Sequence, residues 1–290
     1  METTELLKKV RKIEIKTRGI SNQIFSGEYH SAFKGRGMAF SEVREYQPGD
    51  DIRAIDWNVT ARFNHPYIKV FEEERELTVM LLVDVSGSEN FGTQKQLKKD
   101  MITEICAVLA FSAIKNNDKI GILFFSDKIE KYIPPKKGKS HILRIIRDLI
   151  EFRPESKKTN IEQALRFFTN VVKKRSIAFL ISDFITEGYK DALKITNKKH
   201  DLVALRIYDK REQEVPNIGF VKLKDGESGK LRWIDTTSAI VRNQYIVNSK
   251  KRDAYLKDLF NKCGVDTTSI GTHESYIQPL MNLFKRRNSK

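Results

Sequence analysis

The sequence predicts an α/β fold, a mostly parallel sheet with helices on both faces, preceded by an N-terminal extension. From Glu76 onward, short apolar runs rich in Val, Ile, Leu and Phe alternate with stretches of helical period. That is the pattern of strands buried on both faces and joined by crossover helices. The 290 residues, 40% hydrophobic and 10% aromatic, also suffice for one substantial core.

The elements follow in order. A helix is predicted over 4–16, and then Gly-rich, aromatic and irregular sequence runs to Arg62 without a complete helix-strand unit. Residues 1–75 therefore read as an appendage and 76–290 as the main domain. Strands are predicted at 77–84, 119–126, 176–182 and 202–208, and helices between them at 94–115, 140–152, 161–173 and 189–199. Residues 128–134 read as an extra strand paired with Phe124 and Phe125. A hairpin over 220–235 turns at Asp225-Gly226-Glu227-Ser228-Gly229. Helices at 238–263 and 273–286, with a late strand at 264–270, close the chain.

In such sheets ligands gather outside the carboxyl ends of the strands, where strand order reverses. Asp84, Ser86 and Ser88 follow the first strand, Asp183 follows a later one, and Thr159 precedes a helix that starts at the same edge. One carboxylate and two hydroxyls in the first loop form an oxygen-only set, suited to a hard cation such as Mg²⁺ at about 2.0–2.1 Å. Each residue also has an ordinary structural role: Thr159 as an N-cap, Ser86-Gly87-Ser88 as a turn, Asp183 as a helix cap. Their joint placement in chain order favours the site.

This order resembles the von Willebrand factor A domain. Its metal-ion-dependent adhesion site uses an Asp-x-Ser-x-Ser loop, a Thr before a helix and an Asp after a later strand. The resemblance implies metal-site roles for Asp84, Ser86, Ser88, Thr159 and Asp183, with the hydroxyls as direct ligands and the aspartates acting partly through water. It also implies that an acidic residue of a partner fills an open coordination position, without catalysis. A more specific resemblance lies upstream, in the run from Gly35-Arg36-Gly37 through Tyr46-Gln47-Pro48-Gly49-Asp50-Asp51-Ile52-Arg53 to Ala54-Ile55-Asp56-Trp57-Asn58, then Thr60-Ala61-Arg62. It is similar to the bacterial domain-of-unknown-function 58 family, from about Gly27 to Tyr208. That likeness implies a scaffold or adaptor working beside a MoxR-type AAA+ ATPase. Where family members carry Ser-Met-x-Phe-Gly, this chain has Ser88-Glu89-Asn90-Phe91-Gly92, so Glu89 adds a negative charge beside the site.

Read physically, the aspartates of Pro48-Gly49-Asp50-Asp51 cap a short helical turn, Arg53 and Asp56 pair, and Trp57 buries against the sheet. The alternative is a docking face formed by Asp51, Arg53, Asp56, Trp57 and Arg62.

The 53 Lys and Arg against 38 Asp and Glu give a net charge of +15. These charges are scattered, and the dense clusters Lys136-Lys137-Gly138-Lys139 and Lys285-Arg286-Arg287 lack interleaved aromatics, so nucleic acid is a minor reading. Phosphoryl transfer through Asp84 is the enzymatic alternative. That chemistry typically wants a carboxylate two residues on, where Ser86 stands, and no phosphate-binding Gly-x-x-x-x-Gly-Lys-Ser/Thr loop is present. The histidines show no metal-ligand spacing. Two cysteines, Cys106 and Cys263, exclude a disulfide scaffold, and no apolar run is long enough to span a membrane. A cytoplasmic protein is expected.

Overall fold

The computed structural model describes residues 8, 10–17, 20, 39–72, 76–87, 97–224 and 231–288. The chain divides into two compact units, residues 33–77 and residues 1–32 together with 78–290.

Helix α1 (residues 10–17) belongs to the larger unit. Ion pairs Lys16–Glu104 and Glu14–Lys139, both 2.6 Å, hold it there.

The smaller unit is more regular than its sequence suggested. Strand β1 (Ala39–Glu45) pairs antiparallel with β2 (Tyr67–Glu72) from Glu45 opposite Tyr67 to Ala39 opposite Glu72, and helix α2 (Trp57–Phe63) lies in the connection. The expectation of an irregular segment is corrected here. β1, Ala39-Phe40-Ser41-Glu42-Val43-Arg44-Glu45, has too little apolar alternation to register as a strand, and α2 is a seven-residue helix set by its cap rather than by periodicity. Asp51 accepts from Arg53 N at 2.9 Å, capping the 3₁₀ turn Ile52–Ala54, as the Pro48–Asp51 reading anticipates.

The larger unit is built on a six-stranded sheet: β3 (Thr78–Asp84), β4 (Lys119–Phe125), β5 (Ile129–Lys136), β6 (Ile177–Ser182), β7 (Asp201–Tyr208) and β10 (Asp266–Gly271). The spatial order is β10-β7-β6-β3-β4-β5, and only β5 runs antiparallel to its neighbour. Counted within the sheet this is the doubly wound order 3-2-1-4-5-6, with strand order reversing between β3 and β6. The fold is α/β, a mostly parallel sheet with helices on both faces, and every predicted strand of this sheet is present within two residues of its expected ends.

Helices α3 (Lys98–Lys115), α4 (Lys139–Glu151), α5 (Ile161–Val171) and α6 (Lys190–Lys199) cover the sheet. The predicted start of α3 at 94 lies outside the described residues. Met80, Leu82, Leu180 and Ala204 share one core with Ile161, Leu165 and Phe168 of α5 and Leu193 of α6. Val79, Leu81 and Val83 alternate with them along β3 and are equally buried, as strands covered on both faces require. In β4, Gly121 is held to glycine by crowding: a Cβ there would meet Met80 Sδ at 2.7 Å and Ile133 O at 2.8 Å.

Helix α7 (Lys210–Gln213) follows β7, and β8 (Phe220–Lys224) pairs antiparallel with β9 (Leu231–Asp235) as the predicted hairpin, whose turn lies outside the described residues. Helix α8 (Ala239–Cys263) joins the core only through its last turns, at Leu256, Leu259 and Phe260, and α9 (Ile277–Asn288) closes the chain. Cys106 and Cys263 are both buried thiols, consistent with core filling.

Candidate metal centre

The carboxyl ends of β3 and β6 stand side by side, where the two crossovers depart to opposite faces. Asp84 is the last residue of β3, Ser182 the last of β6, and Thr159 lies two residues before α5. Three loops are tied together here. Ser182 Oγ donates to Asp84 Oδ2 at 2.7 Å, Gly87 N donates to Lys157 O at 3.0 Å, and Thr186 Oγ1 donates to Thr159 O at 3.5 Å. Asp84 Oδ1 accepts from Ser86 N at 3.0 Å, which folds the first loop back on its own carboxylate.

Four of the five predicted metal-site residues, Asp84, Ser86, Thr159 and Asp183, therefore sit on loops linked at one edge. Ser88 and Glu89 lie outside the described residues. Asp84, Ser86 and Asp183 are at most 4% exposed. Burial, and then the charge of Asp183, push the Asp84 carboxyl up to about 7. Thr159 Oγ1 is buried and has no hydrogen-bond partner among the described residues. A buried hydroxyl without a partner costs about 1–3 kcal/mol unless something polar meets it.

Three further groups complete the cluster and were missed in the sequence. Lys98, at the first position of α3, has a fully buried side chain; its Nζ lies 3.1 Å from Asp183 Oδ2 and 2.5 Å from Glu212 Oε1 of α7. Followed by Lys99 and Asp100, it reads as part of a solvated helix end, and only tertiary packing buries it. Glu212 is fixed by a capping box in which its carboxylate accepts from Asp209 N at 3.0 Å and the Asp209 carboxylate accepts from Arg211 N at 2.8 Å. Ser182 hid as the final residue of an apolar strand. When ionised, the carboxylates of Asp84, Asp183 and Glu212 against one ammonium leave two negative charges, which a divalent cation would balance.

Phe184, directly after Asp183, takes a left-handed backbone with φ 58°. A bulky residue is strained there, and burial against Phe260, ring centroids 5.1 Å apart, holds it. Phe184 N donates to Ser182 Oγ at 3.1 Å and Ile185 N to Asp183 Oδ1 at 3.2 Å, so the turn fixes the direction of Asp183. The donor set fits a hard cation: hydroxyls and carboxylates, one hydroxyl orphaned, two carboxylates in mutual repulsion. Among the described residues no group of three or more His, Cys, Asp and Glu has the geometry of a metal site, so the hydroxyls are essential to this fit.

The second predicted constellation is different. Asp56 is buried, and its carboxylate caps α2, accepting from Asn58 N at 3.1 Å and Val59 N at 3.4 Å. The expected Arg53–Asp56 clamp is corrected: Arg53 is exposed, and the bidentate ion pair of this unit is instead Arg44–Asp50, at 2.9 and 2.7 Å. Trp57, expected to be buried, is 68% exposed because the cap turns the first residue of α2 outward. Asp51 and Arg62 are exposed as well.

Comparison with known proteins places the chain. Residues 42–255 match the family model described as "Protein of unknown function DUF58", and the chain belongs to this family. It is 26% identical to the uncharacterized protein Rv1480 of Mycobacterium tuberculosis over 99% of this chain and 91% of that protein. It is 28% identical to the uncharacterized protein YeaD of Bacillus subtilis over 45% of this chain and 29% of that protein. Among solved structures, it is similar to the conserved hypothetical protein BatB from Bacteroides thetaiotaomicron, with TM-score 0.47 and 15% identity over 74% of this chain and all of that one. The mussel byssus proximal thread matrix protein 1, solved with a zinc-occupied adhesion motif, gives TM-score 0.39 and 14% identity over 73% of this chain and 47% of that one.

Proposed function

We propose that this member of the DUF58 family is a non-catalytic, cation-dependent protein-interaction module. Asp84, Ser86, Ser88, Thr159 and Asp183 hold a divalent cation, expected to be Mg²⁺, which supplies an open coordination position for an acidic side chain of a partner. The observation that carries this reading is the buried Thr159 hydroxyl, without a partner among the described residues, beside the buried Asp84 and Asp183 carboxylates, where burial and then mutual repulsion raise Asp84. One cation answers all three.

An adaptor role beside a MoxR-type AAA+ ATPase is the partner we infer, by the family resemblance of the 35–62 signature. The exposed Arg53, Trp57 and Arg62 give that signature a face on which a partner can dock. Phosphoryl transfer gains no support: both Asp84 oxygens accept hydrogen bonds, and a carboxyl pushed up to about 7 is a poor nucleophile when protonated. Among the described residues no helix is long and apolar enough to cross a membrane. A cytoplasmic site of action fits such a partner.

Calorimetric titration of Mg²⁺ tests the module. Saturable binding to wild type and its loss in Asp84→Ala are expected, and undetectable binding to both would refute it. Capture of the ATPase in Mg²⁺ but not in chelator tests the partner separately.

A further inference from the structure

A cavity opens in the larger unit, on the α3–α4 side of β3, with a volume of about 260 Å³. Its walls are Val83, Ile102, Leu149 and Phe152, and the Phe152 ring is fixed by stacking on Phe124, centroids 4.7 Å apart and planes 11° from parallel. Lys99 and Arg153 also line it. Lys99 Nζ donates one bond, to Phe152 O at 2.9 Å, which leaves two of its three protons to offer. Neither Lys99 nor Arg153 has an ion-pair partner among the described residues. Half-burial and the nearby Arg153 charge hold the Lys99 ammonium below its ordinary range, although Asp100 works the other way. An anion between the two cations relieves that repulsion. Asp84 reaches the cavity as well, but its two oxygens are occupied by Ser86 and Ser182.

We propose that this cavity binds a small amphipathic carboxylate, its apolar chain on Val83, Ile102, Leu149 and Phe152 and its head between Lys99 and Arg153. The size agrees. An apolar cavity of about 150 Å³ accommodates benzene, so the volume here holds about ten heavy atoms, the size of octanoate. The hydrophobic wall supplies affinity for the chain, and the paired cations select its charge. The inference does not depend on a metal at Asp84.

Octanoate and the uncharged octanol separate the two contributions. Titrated into the full chain in chelator at low salt, octanoate binds one site, about tenfold tighter than octanol. Arg153→Met, which leaves the Lys99–Phe152 bond in place, weakens octanoate about fivefold and octanol not at all, whereas Lys257→Met on the exposed face of α8 changes neither. Equal binding of octanoate and octanol overturns the proposal. So does Arg153→Met that binds octanoate like wild type, or uptake that never saturates at one site, which marks non-specific adsorption to a basic surface.

Discussion

The carboxyl end of the sheet and the 50–62 segment draw on the same polar vocabulary, aspartates beside cations and hydroxyls, yet fold it oppositely. At the sheet end, Asp84, Ser86, Lys98 and Asp183 are buried and Thr159 Oγ1 has no partner among the described residues. In the 50–62 segment Asp56 is spent on capping α2, while Arg53, Trp57 and Arg62 face solvent. Burial raises the cost of an unmet polar atom, so the first arrangement would gain stability from a ligand that meets it. An exposed Trp or Arg costs little, so the second is informative only if a partner covers it.

The sharpest test of this contrast is stability. Phe184→Ala removes the buried ring that holds the strained turn beside Asp183, and a loss of about 3–5 kcal/mol is expected in urea unfolding. Trp57→Ala should change the same measurement by less than about 1 kcal/mol, since its ring is mostly in solvent. A comparable cost for both would erase the distinction.

Cation binding comes next. Asp84→Ala is expected to weaken Mg²⁺ by at least about 100-fold in calorimetry, while Arg53→Ala leaves it unchanged. Proton competition follows the same site. Asp84 is raised from 3.8 to about 7, so the folded protein keeps a proton that the unfolded chain has released. In chelator, stability therefore falls as pH rises from about 4 through about 7 and is flat above, and Asp84→Asn removes that slope. Mg²⁺ affinity moves the opposite way, about tenfold tighter at pH 8 than at pH 6, because the cation must displace that proton.

Thr159→Val gives a smaller but more discriminating effect. Removing an orphaned hydroxyl leaves the metal-free protein unchanged or stabilised by about 1 kcal/mol, yet weakens Mg²⁺ about tenfold. A destabilised metal-free variant would mean that the hydroxyl serves the fold instead. Last, Arg53→Ala is expected to shift stability by no more than about 0.5 kcal/mol and to reduce capture of the ATPase. Unchanged capture would assign the exposed signature face no part in docking.

Much of this molecule was legible from its residues. The apolar runs of β3, β4, β6 and β7 are strands because continuous Val, Ile, Leu and Phe can be satisfied only by burial on both faces, and that pattern alone fixed their positions within two residues. Asp84 and Asp183 could be picked out because the carboxyl end of a parallel strand is a predictable place, and Thr159 because it precedes a helix that starts at the same edge. The small unit was misread because a seven-residue helix and a charged strand leave no period to detect; their order comes from Asp56 as a cap and from β1 pairing with β2. The burial of Lys98 and the exposure of Trp57 were decided only by tertiary structure. A side chain's solvent share depends on which distant elements pack over it, and Asp183 and Glu212 lie more than eighty residues from the lysine they enclose.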